Sequence, residues 1–150
     1  MSDEEFKKLL SLNKQFVQNN IQLPLIGYND VFNLISKESN DAFFLDIDRR
    51  GRIELSKLKI QTRYALTKLP LVRIDINSPQ HINPDGTKTS RNHIHIYKET
   101  EYDTGNLPWA YDIETILSFS NGIENADFME LFYCFCAYCN IDTYNIQGVM

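Results

Sequence analysis

Ala42-Phe43-Phe44-Leu45-Asp46-Ile47-Asp48 places apolar residues at 43, 45 and 47 and carboxylates at 46 and 48. That period of two is the pattern of a strand with one buried face. Arg49-Arg50-Gly51 then reads as a hairpin turn. Ile53 and Leu55 continue on odd positions, whereas Leu58, Ile60, Thr62 and Tyr64 fall on even ones. The phase slip near Ser56 and Lys57 predicts a bulge or a break between two strands. Further on, Val72, Ile74 and Ile76 alternate with Arg73, Asp75 and Asn77, and Ile94 and Ile96 with His93, His95 and Tyr97. Strands therefore fill the middle of the chain.

Helical signals flank them. Ser2 and Glu5 have capping-box spacing. Phe6, Leu9, Leu10, Phe16 and Val17 then predict a helix to about residue 19. Asn29 or Asp30 caps a short second helix carrying Val31, Phe32, Leu34 and Ile35. Two C-terminal helices are expected over roughly 112–119 and 125–139, divided by Asn121-Gly122. Runs of strands between runs of helices indicate an α+β fold. The expected architecture is an antiparallel sheet of four to five strands, with N- and C-terminal helices packed on one face. Phe43, Leu45, Ile47, Val72, Ile74, Ile76, Ile94 and Ile96 should lie beneath those helices.

The 150 residues suit one domain spanning 1–150. A chain of this size buries about two-thirds of its unfolded surface without a disulfide or metal. The 9 Phe and 8 Tyr exclude a disordered chain. No apolar run approaches the roughly 18 residues of a membrane span, and the acidic Met1–Glu5 start is not a signal peptide. Three cysteines between 134 and 139 argue for a reducing compartment, so a cytoplasmic protein is expected. On a helix, Cys134 and Cys136 diverge by about 200° and only Cys136 and Cys139 share a face, so they read as buried small hydrophobes.

Charge is unevenly spread. The formal net charge is −5, yet residues 49–98 hold 11 of the 15 lysines and arginines against Glu54, Asp75 and Asp85. A basic middle between acidic flanks can serve as a phosphate-binding face. On that reading Arg73, Arg91 and some of Arg49, Arg50, Arg52, Lys59 and Arg63 gather in one cleft. Equally, flanks and middle can neutralise each other across the fold.

All three histidines fall at 81, 93 and 95. Alternation puts Arg91, His93, His95, Tyr97 and Glu99 on one strand face, with Arg73, Asp75 and Asn77 opposite if the two strands pair. Asp75 can then fix an imidazole tautomer while the other ring nitrogen moves a proton. Arginines nearby would stabilise charge developing on a phosphoryl group. The same pattern also describes a solvated polar sheet face. His93 and His95 can alternatively bind one ion, with His81, Asp85 or Glu99 as third ligand. No H-E-x-x-H or paired C-x-x-C accompanies them, so neither metal nor cofactor is expected. Asn83-Pro84-Asp85-Gly86 reads as a tight turn that only closes a loop. Trp109 reads as a core or rim aromatic.

The strings His81-Ile82-Asn83-Pro84-Asp85-Gly86, His93-Ile94-His95-Ile96-Tyr97-Lys98-Glu99 and Trp109-Ala110 resemble a family of small uncharacterised bacterial and phage proteins. Its members carry an H-x-N-P-D-G, H-[IL]-H-[IL]-Y-[KR]-E and W-A series, often with a later Tyr-Cys-Asn-Ile, as at 138–141. The resemblance spans about 70–142, and Glu99-Thr100-Glu101-Tyr102-Asp103 departs from the Glu-Gly-Tyr expected there. It implies a mobile-element setting, in defence, counter-defence or toxin–antitoxin roles, and supplies no reaction.

Two functions follow from the residues. One is a small His-dependent phosphodiesterase or ribonuclease acting on RNA or a nucleotide. His93, His95, His81 and Asp75 would be catalytic, and Arg73, Arg91, Arg63, Lys59 and Tyr97 would bind substrate or phosphate. The other is a non-enzymatic binding protein, such as a phage-encoded inhibitor of host defence, an antitoxin or a nucleotide sponge, gripping its partner with the same face. Neither involves a membrane, and both suit bacterial or infected-host cytoplasm.

Overall fold

The computed structural model describes residues 1–51, 56–100 and 105–149. In chain order it forms helix α1 (Asp3–Ser11) and strands β1 (Gln15–Phe16), β2 (Ile21–Leu23), β3 (Asn29–Ile35), β4 (Ala42–Asp48), β5 (Leu58–Tyr64), β6 (Pro70–Ile76), β7 (His93–Ile96) and β8 (Ala110–Asp112). Helix α2 (Phe128–Tyr138) and strand β9 (Ile146–Val149) follow. Among the described residues, seven strands make one antiparallel sheet in the order β1-β3-β4-β5-β6-β7-β8. β2 and β9 form a separate parallel pair.

Alternation divides the sheet into two faces. Phe32, Leu34, Phe43, Leu45, Ile47, Leu58, Ile60, Val72, Ile74, Ile76 and Ile94 share one buried cluster with Phe6 and Leu9 of α1 and Leu131, Phe132 and Phe135 of α2. Both helices thus bury their apolar stripes against the same sheet face. Every residue expected in the core is there, although Ile96 is only half-buried, near the strand's end. Cys136 and Cys139 are buried with α2, and burial pushes the Cys139 thiol up to about 12.

Several elements differ from expectation. The sheet has seven strands rather than four to five. Residues 31–35 belong to β3 and not to a helix, since Phe32 and Leu34 point inward while Val31 and Asn33 are exposed. Over five residues an apolar run satisfies both periods, and pairing with β4 decides between them. α1 stops at Ser11, because Leu12 is already extended. In place of a helix over 112–119, Asp112 ends β8 and Ile113–Thr115 form a 3-10 turn, and α2 begins at Phe128, capped by Asp127. The strand reading of Ile53 and Leu55 lies outside the described residues.

The opposite face carries polar residues in rows set by strand register. One row runs Asp48, Lys59, Asp75, His93 and Asp112 from β4 to β8. Its neighbour runs Asp46, Gln61, Arg73, His95 and Ala110. At the β7 end of these rows, His81 and Ser90 of the β6–β7 connection and Leu107 and Pro108 ahead of β8 close over the histidines.

Candidate functional site

β6 and β7 pair with Asp75 opposite His93 and Arg73 opposite His95. Four polar side chains are thereby held on rigid backbone, which fixes their geometry better than loops would. The two imidazoles do not face solvent as a bare sheet face would require. His93 is 1% and His95 2% exposed, because the flanking loops cover them.

Those loops also set the ring tautomers. His93 Nδ1 lies 2.9 Å from the Ser90 carbonyl oxygen, and His95 Nδ1 lies 2.8 Å from that of Leu107. A carbonyl oxygen only accepts, so both Nδ1 atoms carry the hydrogen and both Nε2 atoms are left to face the cluster. Tautomer control thus comes from backbone carbonyls, not from Asp75 as expected. Each Nε2 stands 3.4 Å from the same oxygen, Asp75 Oδ2.

Arg73 completes the group. Its Nε donates to Asp75 Oδ1 at 2.8 Å and its Nη2 to Oδ2 at 3.2 Å. Nη2 also sits 3.1 Å from His95 Nε2. Burial raises the Asp75 carboxyl, and with both Nε2 atoms bare it is the Arg73 guanidinium, bonded to both carboxylate oxygens, that opposes burial and keeps the carboxyl below the usual carboxylate range. Burial, reinforced by the Arg73 charge, lowers His95 despite the opposing pull of Asp75. His95 is therefore a neutral ring whose Nε2 lone pair accepts from Arg73.

His81 joins from the roof. Its ring centroid is 4.7 Å from that of His95 and 6.1 Å from that of His93, and its Nε2 donates to the Pro108 carbonyl at 2.6 Å. Asn83 does more than close a turn. Its amide donates to the Ala110 carbonyl at 2.9 Å and accepts from the Ala110 N–H at 2.8 Å, clamping the β6–β7 connection to β8. Turn chemistry was readable in Asn83–Gly86, and Gly86 does adopt φ +88°. The clamp's partner, 27 residues away, carried no local signal.

The cations do not gather in one cleft. Arg63 pairs with Asp46 at 2.6 Å, Arg50 with Asp48 at 3.0 Å and Arg73 with Asp75 at 2.8 Å. Arg49 leaves the face, donating to the Pro24 carbonyl and stacking on Phe128. Arg91 turns toward the Ser78 and Asn77 carbonyls. Arg52 lies outside the described residues. Lys59, Arg63 and Arg73 do share the polar face, interleaved with Asp46, Asp48 and Asp75. The counter-charges come from the strands themselves as well as from the acidic flanks.

Tyr97 lies one residue past the end of β7, and its ring leaves the histidine face. It packs 5.5 Å from Phe6, and its hydroxyl donates to the Met1 carbonyl. Two of the proposed third metal ligands are engaged elsewhere. Glu99 bonds the start of α1 through Asp3, and Asp85 bonds Thr87 within its own turn. Among the described residues, Asp75, His93 and His95 form a group that could hold an ion, with donor atoms all within 4.8 Å of one another.

Fold and site define an α+β protein with a roofed His–His–Asp–Arg cluster on the polar face of its sheet. A family model described as a family of unknown function, DUF6978, matches residues 1–141, and the chain belongs to that family. The match includes the N-terminal region, which the resemblance to small uncharacterised proteins left uncovered. No curated protein and no solved structure gives a significant match. No helix among the described residues is long and apolar enough to cross a membrane.

Proposed function

We propose that the protein hydrolyses a phosphodiester bond of RNA or a nucleotide, with Asp75, His93 and His95 as its reaction centre. The observation carrying this reading is convergence: two imidazole Nε2 atoms and one carboxylate oxygen meet at a point, each ring locked by a backbone carbonyl. Such a point suits activation of a water, which loses a proton to the cluster as its oxygen bonds to phosphorus. The ester P–O bond breaks, and the leaving oxygen takes a proton back. Arg73 borders the solvated part of the polar face, with its side chain 28% exposed, and suits contact with phosphoryl oxygens. Arg63 and Lys59 lie along the strip a substrate would follow, and His81 edges His95 from the roof.

A cytoplasmic setting fits three free thiols, Cys134, Cys136 and Cys139. The mobile-element setting rests on the signature residues His81–Gly86, His93–Glu99 and Trp109–Ala110 alone.

The second reading, a non-enzymatic binder, is favoured by the burial of His93 and His95 and by the pairing of each arginine on the face with a carboxylate. Incubating the purified protein with mixed RNA and cyclic nucleotides separates the two. Turnover that falls about 10²–10⁴-fold in His95→Gln, with the fold retained, supports the hydrolase. Retention of nucleotide without any product supports the binder.

A further inference from the structure

We infer that Asp75, His93 and His95 form a binding site for one first-row divalent transition metal ion, of the Zn²⁺ or Fe²⁺ class. The inference deepens the reading above by naming what activates the water, although the binding claim is read without turnover. Its first support is distance. In a tetrahedral site with bonds of 2.0–2.1 Å, neighbouring donor atoms lie about 3.3–3.4 Å apart. Asp75 Oδ2 stands 3.4 Å from both His93 Nε2 and His95 Nε2, and all three donor atoms lie within 4.8 Å of one another, so binding needs at most a small closing of the two rings on the ion.

Ring orientation is the second support. Metal-ligating histidines donate their other ring N–H to a carbonyl or carboxylate, which fixes the tautomer and raises the basicity of the ligating nitrogen. Both rings do this, His93 to Ser90 and His95 to Leu107. Without an ion, two acceptor nitrogens are aimed at an acceptor oxygen. A proton relieves one of these contacts, whereas an ion satisfies all three.

The third support is that this point already attracts a cation. Arg73 Nη2 touches Asp75 Oδ2 at 3.2 Å and His95 Nε2 at 3.1 Å, two of the contacts an ion would make. Arg73 can keep Asp75 Oδ1 through its Nε while Nη2 gives way. Two histidines and one carboxylate leave at least one coordination position open for water, as a catalytic ion requires.

Co²⁺ and Zn²⁺ are the probes. The full chain, first stripped by a chelator, is titrated with Co²⁺ and followed by its ligand-field absorption, with Zn²⁺ competition giving the second affinity. The site should take one Co²⁺ with a tetrahedral or five-coordinate spectrum that Zn²⁺ displaces. His93→Gln and His95→Gln should each lower affinity by at least about 10–100-fold. Arg73→Met removes the competing cation, so it should bind Co²⁺ as tightly as the wild type or more tightly. Where a variant fails to fold, the wild-type Co²⁺ stoichiometry and its Zn²⁺-induced rise in Tm carry the test. No bound Co²⁺ in the wild type, or affinity unchanged in both histidine variants, overturns the inference. Binding without turnover upholds the site and removes the hydrolase reading. Turnover that survives chelation with no metal bound does the reverse.

Discussion

Asp75 is the residue on which the cluster depends, and its chemistry makes a pH prediction. Its folded-state carboxyl lies below the ordinary value, so the stability it contributes is complete above the unfolded value of about 3.9. That contribution is lost as pH falls below it. His95 acts in the same direction but starts earlier. Its folded value is lowered, so below about pH 6.5 the unfolded chain binds a proton that the folded one refuses. Stability should therefore begin to fall below about pH 6.5 and fall further below about pH 4. Urea unfolding across that range checks it, and a wild-type minus Asp75→Asn difference that is unchanged from pH 7 to pH 3 would contradict the carboxylate's part. Asp75→Asn itself should cost about 2–4 kcal/mol at pH 7, because it strips Arg73 of its counter-charge in a largely buried setting. Alternation alone made Asp75, Arg73, His93 and His95 legible as neighbours. Their burial was not legible, since it comes from loops whose partners are remote in sequence.

Period-two patterns identified β4, β5, β6 and β7, because alternating residues there outweigh chance, whereas the apolar run of β3 satisfied both periods and read as a helix. β1, β2 and β8 have two or three residues each, too few to carry a period, and they exist because neighbouring backbone offers hydrogen bonds. Lys14 is a further remote effect. Between α1 and α2 its Nζ donates to the carbonyls of Leu10, Leu12 and Cys139 at 3.0, 2.9 and 2.8 Å. Its burial lowers the ammonium to about 8. Lys14→Met should cost about 2–4 kcal/mol, since it leaves buried carbonyls without a donor. Chemical denaturation reads that directly, and a loss below 0.5 kcal/mol would contradict the staple. On the other side of the sheet, Asn83→Ala should cost about 1–3 kcal/mol and speed hydrogen exchange at the Ala110 N–H. Exchange there unchanged from wild type would show that the roof does not depend on this clamp.

At the scale of the whole molecule, the sheet separates two tasks. Its helix-covered face carries the apolar core, and its other face carries paired charges that end at the roofed cluster. The distribution of lysine and arginine along the chain suggested a basic patch, but antiparallel register sets Asp46, Asp48 and Asp75 among them. Salt dependence of substrate binding should accordingly be modest, because few cations are left uncompensated. The central claim is that Asp75, His93 and His95 are a reaction centre and not a buried structural network. Parallel measurement of phosphodiester turnover and Tm for wild type and His95→Gln tests it most directly. A functional centre requires turnover to fall about 10²-fold or more while Tm moves by only a few degrees. Absence of turnover in the wild type, with a collapse of Tm in the variant, would contradict it.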